Sequence, residues 1–269
     1  MAECKMKTRA IGDTGVQVSP IGFGTVKIGR DQGVKYPNGF TIPDDQQVLR
    51  LLDICRELSI NLLDTAPAYG LSEERLGQLL NTHDRQSWII SSKAGEEFDN
   101  NSGLSHFDFS AKAIINSVER SLKRLNTDYL DILMIHSDGN DLKIIQQDRA
   151  LETLATLKQQ GKVRAIGMST KTIDGGISAL KQADCAMVTY NLVNQDELPV
   201  IEYAEQHNKG IFIKKAFASG HLQQSAMKDP VRESLKLIFA QQAVSSAVIG
   251  TITEANLRAN VEKFLTLDQ

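Results

Sequence analysis

The chain has 269 residues, of which 41% are hydrophobic, and its formal net charge at pH 7 is -3. This length and composition fit one barrel-sized globular domain, residues 1–269, with a large buried core. No basic tract indicates a nucleic-acid-binding surface, and no apolar run approaches the roughly 18 residues that a membrane span needs. No apolar segment typical of an export signal follows Met1. We therefore expect a soluble, cytoplasmic protein that acts on small molecules, without nucleic acid or membrane partners.

The first predicted element is a β-hairpin at the start of the chain. Two short β-prone segments, 7–11 and 16–18, flank the turn-forming sequence Gly12-Asp13-Thr14-Gly15. We expect this hairpin to close the floor of the fold.

Eight apolar, strand-like segments follow, and segments of helical periodicity separate them from about residue 60 onward. Alternation of this kind is typical of parallel strands joined by crossover helices. Eight such strands predict an α/β fold, a closed (β/α)8 TIM barrel, rather than an open sheet. The predicted strands are 18–25, 60–65, 87–93, 129–135, 163–168, 185–190, 210–214 and 246–250.

Local signals mark the helices and the loops between these strands. One helix begins at Ser72 with acidic residues in its first turn, and another, which starts near Arg149, ends at Gly161. Segment 111–124 has the spacing of a helix with one face packed on the sheet, made of Ile114, Ile115, Val118, Leu122 and Leu125. Loops after the strands lie at the C-terminal mouth of a barrel, where we expect the substrate to bind: 26–44, 95–110, 137–148 and 216–230.

Three successive strands each end next to a titratable side chain. Asp64 and Tyr69 follow the first of them, Lys93 ends the second, and His136 ends the third. Because parallel strands of a barrel end at the same rim, these four side chains are expected to converge there. The sequence therefore predicts a catalytic group of Asp64, Tyr69, Lys93 and His136.

These residue types suit the reduction of a carbonyl group. A carbonyl that receives a hydride develops negative charge on oxygen and needs an acid, and Tyr69 can supply the proton. The reference pKa of tyrosine, about 10, must fall toward neutrality for efficient donation. A Lys93 ammonium about 4 Å away, at an effective dielectric constant of about 20, would stabilise the tyrosinate by about 4 kcal/mol. Asp64 would keep Lys93 charged, and His136 would hydrogen-bond and orient the carbonyl oxygen.

No metal site is expected. The sequence contains no HxH or HExxH spacing. The remaining histidines are expected in loops or on helix surfaces: His83, His106, His207 and His221. The cysteines form no CxxC pair and are expected to be reduced thiols: Cys4, Cys55 and Cys185.

Several sequence blocks carry a family resemblance through their order and spacing. They are Pro20-Ile21-Gly22-Phe23-Gly24-Thr25, Asp64-Thr65-Ala66-x-x-Tyr69-Gly70, Glu73-x-x-Leu76-Gly77, Ser121-Leu122-x-Arg124-Leu125-x-Thr127-Asp128-Tyr129-Leu130-Asp131, Gly161-Lys162-Val163-Arg164-x-Ile166-Gly167 and Asn256-Leu257-Arg258-Ala259-Asn260. In these blocks the chain resembles the aldo-keto reductase superfamily over essentially its whole length. The resemblance implies an NAD(P)H-dependent oxidoreductase that reduces aldehydes or ketones to alcohols by hydride transfer.

A nucleotide site is also implied. The segment 249–253 opens a helix, and free N–H groups at a helix N-terminus favour phosphate. By resemblance, the cofactor-binding residues are Gly24, Thr25, Asp64, Ser169, Thr170, Lys214, Lys215, Gly250, Thr251, Thr253, Asn256 and Asn260.

At four of its positions the chain departs from the family pattern. Thr170 replaces the usual asparagine, Met187 the glutamine that contacts the carboxamide, and Lys214 the aromatic residue stacked under the nicotinamide. Asn256 stands where an arginine often binds the 2′-phosphate, although Arg258 is near. Lys214 or Lys215 could contact a cofactor phosphate or an acidic substrate. We expect NADP, with NAD as the alternative.

Other functions remain open at this point. The altered cofactor positions favour a non-catalytic nucleotide-binding or regulatory relative with the same barrel. A barrel lyase or isomerase could use Lys93 as a Schiff-base nucleophile. Sequence similarity around Phe107-Asp108-Phe109-Ser110 suggests an aldose or lactol substrate, and a simple aldehyde is equally compatible. The family implies a monomer or weak homo-oligomer.

Overall fold

The computed structural model describes residues 6–34, 36–37, 39–80, 85–224 and 227–267. The chain begins with β1 (Arg9–Ala10) and β2 (Gln17–Val18), which pair antiparallel as the predicted hairpin. Ile11 and Val16 of this hairpin are fully buried and pack in one cluster with Phe212 from the barrel. The hairpin thus closes the barrel floor with apolar side chains.

Eight parallel strands form a closed barrel. Apart from the exposed pair β6 and β7, each strand pairs in parallel with the next along the chain, and the last pairs with β3. The predicted (β/α)8 barrel and its eight strands are therefore confirmed. In chain order the strands after β2 are β3 (Ile21–Gly24), β4 (Leu62–Asp64), β5 (Ile89–Ala94), β6 (Glu96–Asp99), β7 (Leu104–Phe107), β8 (Leu130–His136), β9 (Val163–Ser169), β10 (Cys185–Thr189), β11 (Gly210–Lys214) and β12 (Val244–Ile249).

Helices surround the barrel. They are α1 (Val26–Gly29), α2 (Asp45–Glu57), α3 (Ser72–Leu79), α4 (Ala111–Arg124), α5 (Asp141–Gln146), α6 (Ala150–Gln159), α7 (Ile173–Leu180), α8 (Leu198–Gln206), α9 (Pro230–Phe239) and α10 (Glu254–Leu265), with 3-10 segments at Pro67–Tyr69, Arg85–Ser87 and Ala218–Gln224. The predicted end of α6 is confirmed by Gly161, whose φ of +78° suits a helix stop. One expectation for α4 was wrong, because Ile115 is 39% exposed while Ile114 and Val118 are buried.

Buried side chains inside and around the barrel form the core. Trp88 is 1% exposed and lies just before β5, at the floor end of that strand, with the Arg56 guanidinium 5.3 Å from its ring centre. Cys55 and Cys185 are buried and unpaired, as expected of reduced thiols, while Cys4 lies outside the described residues. Within the described ranges, no helix is long and apolar enough to cross a membrane.

The segment 95–110 differs from its predicted form. Instead of an irregular loop it contains the antiparallel hairpin β6–β7, whose mostly exposed side chains gave no apolar alternation in the sequence. Gly95 turns the chain out of β5 with a φ of +102°, and a Cβ there would lie 2.6 Å from Phe109. The carboxylate of Glu97 accepts hydrogen bonds from Ser117 and Arg120 of α4. These contacts hold the start of the hairpin at the barrel mouth.

Candidate active site

A cavity of about 670 Å³ opens at the C-terminal ends of the barrel strands. All the predicted site residues except Thr170 and Thr253 line it. Thr170 is fully buried and donates its N–H to the Met187 carbonyl at 3.2 Å. Thr253 is exposed, and its N–H donates to Thr251 Oγ1 at 3.2 Å. The lining residues that were predicted are Gly24, Thr25, Asp64, Tyr69, Lys93, His136, Ser169, Lys214, Lys215, Gly250, Thr251, Asn256 and Asn260.

Lys93 and Asp64 form a buried ion pair at one end of this cavity. Lys93 Nζ lies 2.7 Å from each carboxylate oxygen of Asp64 and also donates to the Thr65 carbonyl at 3.0 Å. The two side chains are 1% and 3% exposed. Burial acts to lower the pKa of Lys93, but the charge of Asp64 and the hydrogen bonds outweigh it and raise this pKa. The ion pair with Asp64 thus favours the charged form of Lys93.

Tyr69 lies against this pair. A 3-10 turn at Pro67–Tyr69 places its ring centre 4.8 Å from Lys93 Nζ. Gly70 then turns the chain with a φ of +62°, where a Cβ would lie 2.2 Å from the Gly29 carbonyl oxygen. This close approach allows only glycine and fixes the position of Tyr69 at the rim.

The pKa of Tyr69 is raised, which corrects the sequence-based expectation. Burial is the largest influence and favours the neutral phenol. The charge of Lys93 acts to lower this pKa. The charge of Asp64 acts to raise it and so opposes the effect of Lys93. In the free protein Tyr69 is thus a protonated phenol at neutral pH.

His136 completes the group. Its ring centre lies 6.2 Å from that of Tyr69 at an interplanar angle of 86°. Its Nδ1 lies 2.8 Å from Oε2 of Glu96. Burial lowers the pKa of His136, so the imidazole is neutral near pH 7. Burial acts to raise the pKa of Glu96, yet its interactions with the nearby His136, Ser105 and Arg30 side chains hold it at about 2.

This contact bears on the tautomer of the neutral His136 ring. The charge of Glu96 favours the tautomer with the proton on Nδ1. Nε2 of a neutral ring is then a hydrogen-bond acceptor, which suits a hydroxyl group rather than a carbonyl oxygen. Sequence reasoning missed Glu96, although a carboxylate three residues beyond Lys93 at a strand end was the available signal.

Lys214 ends β11 on the same side of the cavity. Its ammonium donates to Ser169 Oγ at 3.0 Å and to the Thr170 carbonyl at 2.6 Å. Burial lowers the pKa of Lys214 to about 8, although the charge of Glu197 acts to raise it. Met187, which is 2% exposed, forms an apolar part of the same wall.

The other end of the cavity has features of a phosphate site. Gly250 and Thr251 follow β12, and α10 begins without a side-chain cap on its first turn. Lys263 of α10 also lines the cavity and pairs with Asp229, while Lys215 lines it next to Lys214. A Cβ on Gly24 would lie 2.9 Å from Val248, so only a glycine leaves the backbone accessible there.

Arg258 does not contribute a cation to this end. Its guanidinium pairs with Glu57 and Glu254, and the side chain does not line the cavity. Lys263 is the cation that α10 presents instead. Small residues, helix N–H groups and lysines together fit a dinucleotide with anionic phosphates.

The segment 26–44 lies over the mouth of the cavity. The ammonium of Lys27 lies 4.0 Å from the ring centre of Tyr36 and 5.1 Å from that of Phe40. Tyr36 reaches across to Gly250, where a Cβ would lie 3.4 Å from its hydroxyl. Two residues of this segment, Lys35 and Asn38, lie outside the described residues.

No group of three or more His, Cys, Asp or Glu side chains is placed to hold a metal ion in the part of the chain that the structure describes. His106, His207 and His221 are exposed, on a strand of the hairpin, after α8 and in a 3-10 segment. The predicted surface position of His83 lies outside the described residues.

Comparison with known proteins agrees with this architecture. A family model described as the aldo/keto reductase family matches residues 20–236, and the chain belongs to this family, which places it among oxidoreductases. L-galactose dehydrogenase of Arabidopsis thaliana is 28% identical, over 98% of this chain and 90% of that protein. D-threo-aldose 1-dehydrogenase of a Pseudomonas species is 29% identical, over 81% and 72%. The crystal structure of PA4992 from Pseudomonas aeruginosa has 52% identity and a TM-score of 0.89, covering 100% of this chain and 99% of that chain.

Proposed function

We propose that the protein reduces aldehydes or ketones to alcohols with a reduced nicotinamide dinucleotide, using Tyr69 as the general acid. The observation that carries this proposal is the meeting of Asp64, Tyr69, Lys93 and His136 at one end of a ligand-sized cavity. Family membership supports it. So do the names of the relatives, which include two sugar dehydrogenases and a methylglyoxal reductase.

The residues divide the proton chemistry between them. When bound, the reduced nucleotide supplies the hydride that the carbonyl carbon receives. Tyr69 donates its phenolic proton to the carbonyl oxygen, so that one carbonyl, one hydride and one proton give one alcohol. Because burial raises the pKa of Tyr69, the phenol is protonated before the reaction. Lys93, held by Asp64, stabilises the tyrosinate left behind until solvent returns a proton.

His136 positions the substrate in this scheme. If the nearby Glu96 carboxylate keeps the proton of the neutral ring on Nδ1, Nε2 would accept a hydrogen bond from a hydroxyl next to the carbonyl. Nε2 would also accept a hydrogen bond from the hydroxyl group of the product alcohol. This acceptor supports an aldose in its open-chain form or another hydroxyl-bearing carbonyl compound as the substrate class, with a simple aldehyde as the weaker substrate.

The far end of the cavity would hold the nucleotide. Gly24, Gly250 and the first turn of α10 leave backbone N–H groups accessible to phosphate oxygens. Lys215 adds a positive charge to the cavity wall, which supports NADP rather than NAD, since NADP carries an additional phosphate. Ser169, which lines the cavity, would bind the nicotinamide carboxamide.

The test is a spectrophotometric assay of the purified protein with NADPH and then NADH. The panel contains simple aldehydes, methylglyoxal, hydroxyaldehydes and aldoses. We expect oxidation of NADPH that depends on a carbonyl compound, with a higher kcat/KM for hydroxylated substrates. A second candidate, a non-catalytic nucleotide-binding protein, is favoured by Met187 and Lys214 at the positions that usually contact nicotinamide. Tight nucleotide binding without turnover of any panel member would support that candidate and reject the reductase.

A further inference from the structure

Lys214 is a cation held beside the proposed acid group. Ser169, whose Oγ accepts from the Lys214 ammonium at 3.0 Å, is the register partner of His136 across β8 and β9. The ammonium also donates to the Thr170 carbonyl at 2.6 Å. These two hydrogen bonds fix the charge one strand away from His136, on the wall of the cavity.

The charge of Lys214 differs from the charges of Lys93 and Lys263, which also line the cavity. Lys93 is neutralised by Asp64, and Lys263 pairs with Asp229. Lys214 forms no ion pair within the described residues, since both of its hydrogen-bond partners are neutral oxygens. An ammonium has three N–H groups, and these partners use two of them. One N–H group and the positive charge of Lys214 therefore remain available to a ligand bound at this end of the cavity.

A positive charge at this place interacts differently with the two redox forms of a nicotinamide ring. The oxidised ring is a cation and the reduced ring is neutral. A ring that delivers hydride to a carbonyl at Tyr69 and His136 has to lie at the same end of the cavity as Lys214. Two like charges in a partly desolvated cavity repel each other far more strongly than in water.

We propose that Lys214 makes the cavity select the reduced over the oxidised nucleotide, which suits the protein to reduce carbonyl compounds rather than oxidise alcohols. This inference rests on the proposed function, because it needs a nicotinamide in the cavity. It assigns the direction of the reaction: the cavity would bind the reduced nucleotide preferentially before the reaction and release the oxidised nucleotide readily after it. The relatives named dehydrogenases do not settle that direction for this chain.

The experiment measures binding rather than turnover. Calorimetric titration of the full chain with NADPH and with NADP⁺ gives the two Kd values and their ratio. We expect the wild-type protein to bind NADPH at least tenfold more tightly than NADP⁺. Lys214→Met should reduce this ratio at least fivefold, mainly through tighter binding of NADP⁺. Lys214→Gln, which keeps a donor for Ser169 and removes the charge, should act in the same way and covers the case that the methionine variant fails to fold.

Lys215→Met is the matched control, since it removes the neighbouring lysine from the same wall. It should weaken both nucleotides together and leave their ratio unchanged, because the phosphates are present in both forms. A ratio in folded Lys214→Gln within twofold of wild type overturns the inference while leaving the reductase proposal intact. Binding of neither nucleotide to the wild-type protein overturns both.

Discussion

Nδ1 of His136 lies 2.8 Å from Oε2 of Glu96, so a carboxylate from the first strand of an outer hairpin reaches the imidazole at the end of a barrel strand. Glu96 is a positioning residue here, because it acts on the substrate only through the tautomer of His136. Through this contact, a residue of the β6–β7 hairpin acts on a member of the proposed catalytic group.

Glu96→Gln should reduce the preference for hydroxylated carbonyl substrates. The glutamine amide can donate to Nδ1, which frees Nε2 to carry the proton and removes the acceptor that a substrate hydroxyl needs. One neutral hydrogen bond contributes about 0.5–1.5 kcal/mol, so the ratio of kcat/KM for glycolaldehyde over acetaldehyde should fall about twofold to tenfold. NADPH affinity should not change. Glu119→Gln, an exposed carboxylate on α4 that pairs with Lys162, is the control and should leave this ratio unaltered.

Tyr69→Phe should abolish most carbonyl reduction while leaving nucleotide binding nearly intact. Loss of a general acid typically costs about 10²–10⁴-fold in rate, so kcat should fall by about three orders of magnitude. Steady-state kinetics and NADPH titration of the same preparation measure the two effects. Retention of most of the activity would show that the proton comes from another group.

Lys93→Met should destabilise the fold as well as abolish turnover. It would leave the Asp64 carboxylate, 3% exposed, without a counter-charge, and removing one partner of a buried pair costs about 3–5 kcal/mol. Urea unfolding measures the change in the free energy of unfolding. The double variant Lys93→Met/Asp64→Asn should recover most of the stability and none of the activity. Lys112→Met, an exposed position on α4, should stay within about 0.5 kcal/mol of wild type.

The pH dependence of reduction should show a broad plateau. Burial raises the pKa of Tyr69 above its usual value of about 10, so the acid stays protonated as the pH rises through 8 and 9. Burial lowers the pKa of His136 below its usual value of about 6.5, so the ring stays neutral until the solution is acidic. We expect kcat/KM for the carbonyl, at saturating NADPH, to be constant from about pH 6.5 to pH 9.5. A decline that starts near pH 8 and persists in Lys214→Gln would instead indicate that Lys93 dominates the pKa of Tyr69.

Selection between the nucleotide forms should itself depend on pH. With its pKa at about 8, Lys214 is charged at pH 6.5 and largely neutral at pH 9.5, so the Kd ratio of NADP⁺ to NADPH should fall as the pH rises between them. Calorimetry at both pH values, with Lys214→Gln as the pH-insensitive control, checks this. An equal fall in the variant would assign the effect to another group. The charged or titratable groups that act on or lie near Lys214 are Glu197, Asp141, Lys215, Lys171 and His136.

The barrel and its acid group could be predicted because both depend on local order along the chain. Apolar runs end in polar residues, so Asp64 after Leu62-Leu63 and His136 after Met134-Ile135 are visible as strand ends. Closure of the barrel then brings such residues to one rim without further information.

Glu96 and the pKa of Tyr69 could not be predicted in the same way. The approach of Glu96 to His136 depends on the positive φ of Gly95 and on packing of the β6–β7 hairpin against α4, neither of which has a periodic signature. The direction in which the pKa of Tyr69 shifts depends on two opposing effects: burial, which raises it, and the nearby Lys93 ammonium, which lowers it and is itself opposed by the Asp64 carboxylate. Both are properties of three-dimensional packing.

Trp88 links the folded state of the barrel and the loading of its mouth in one optical signal. It is the only tryptophan in the sequence and lies five residues before Lys93 on an extended strand, about 16 Å away at the usual rise per residue. Its emission overlaps the absorption of a reduced nicotinamide, so NADPH bound at the mouth should quench Trp88 by energy transfer. Unfolding instead exposes the buried indole to water and shifts its emission wavelength, so ligand release and unfolding can be followed in one sample through the intensity and the wavelength of the same emission.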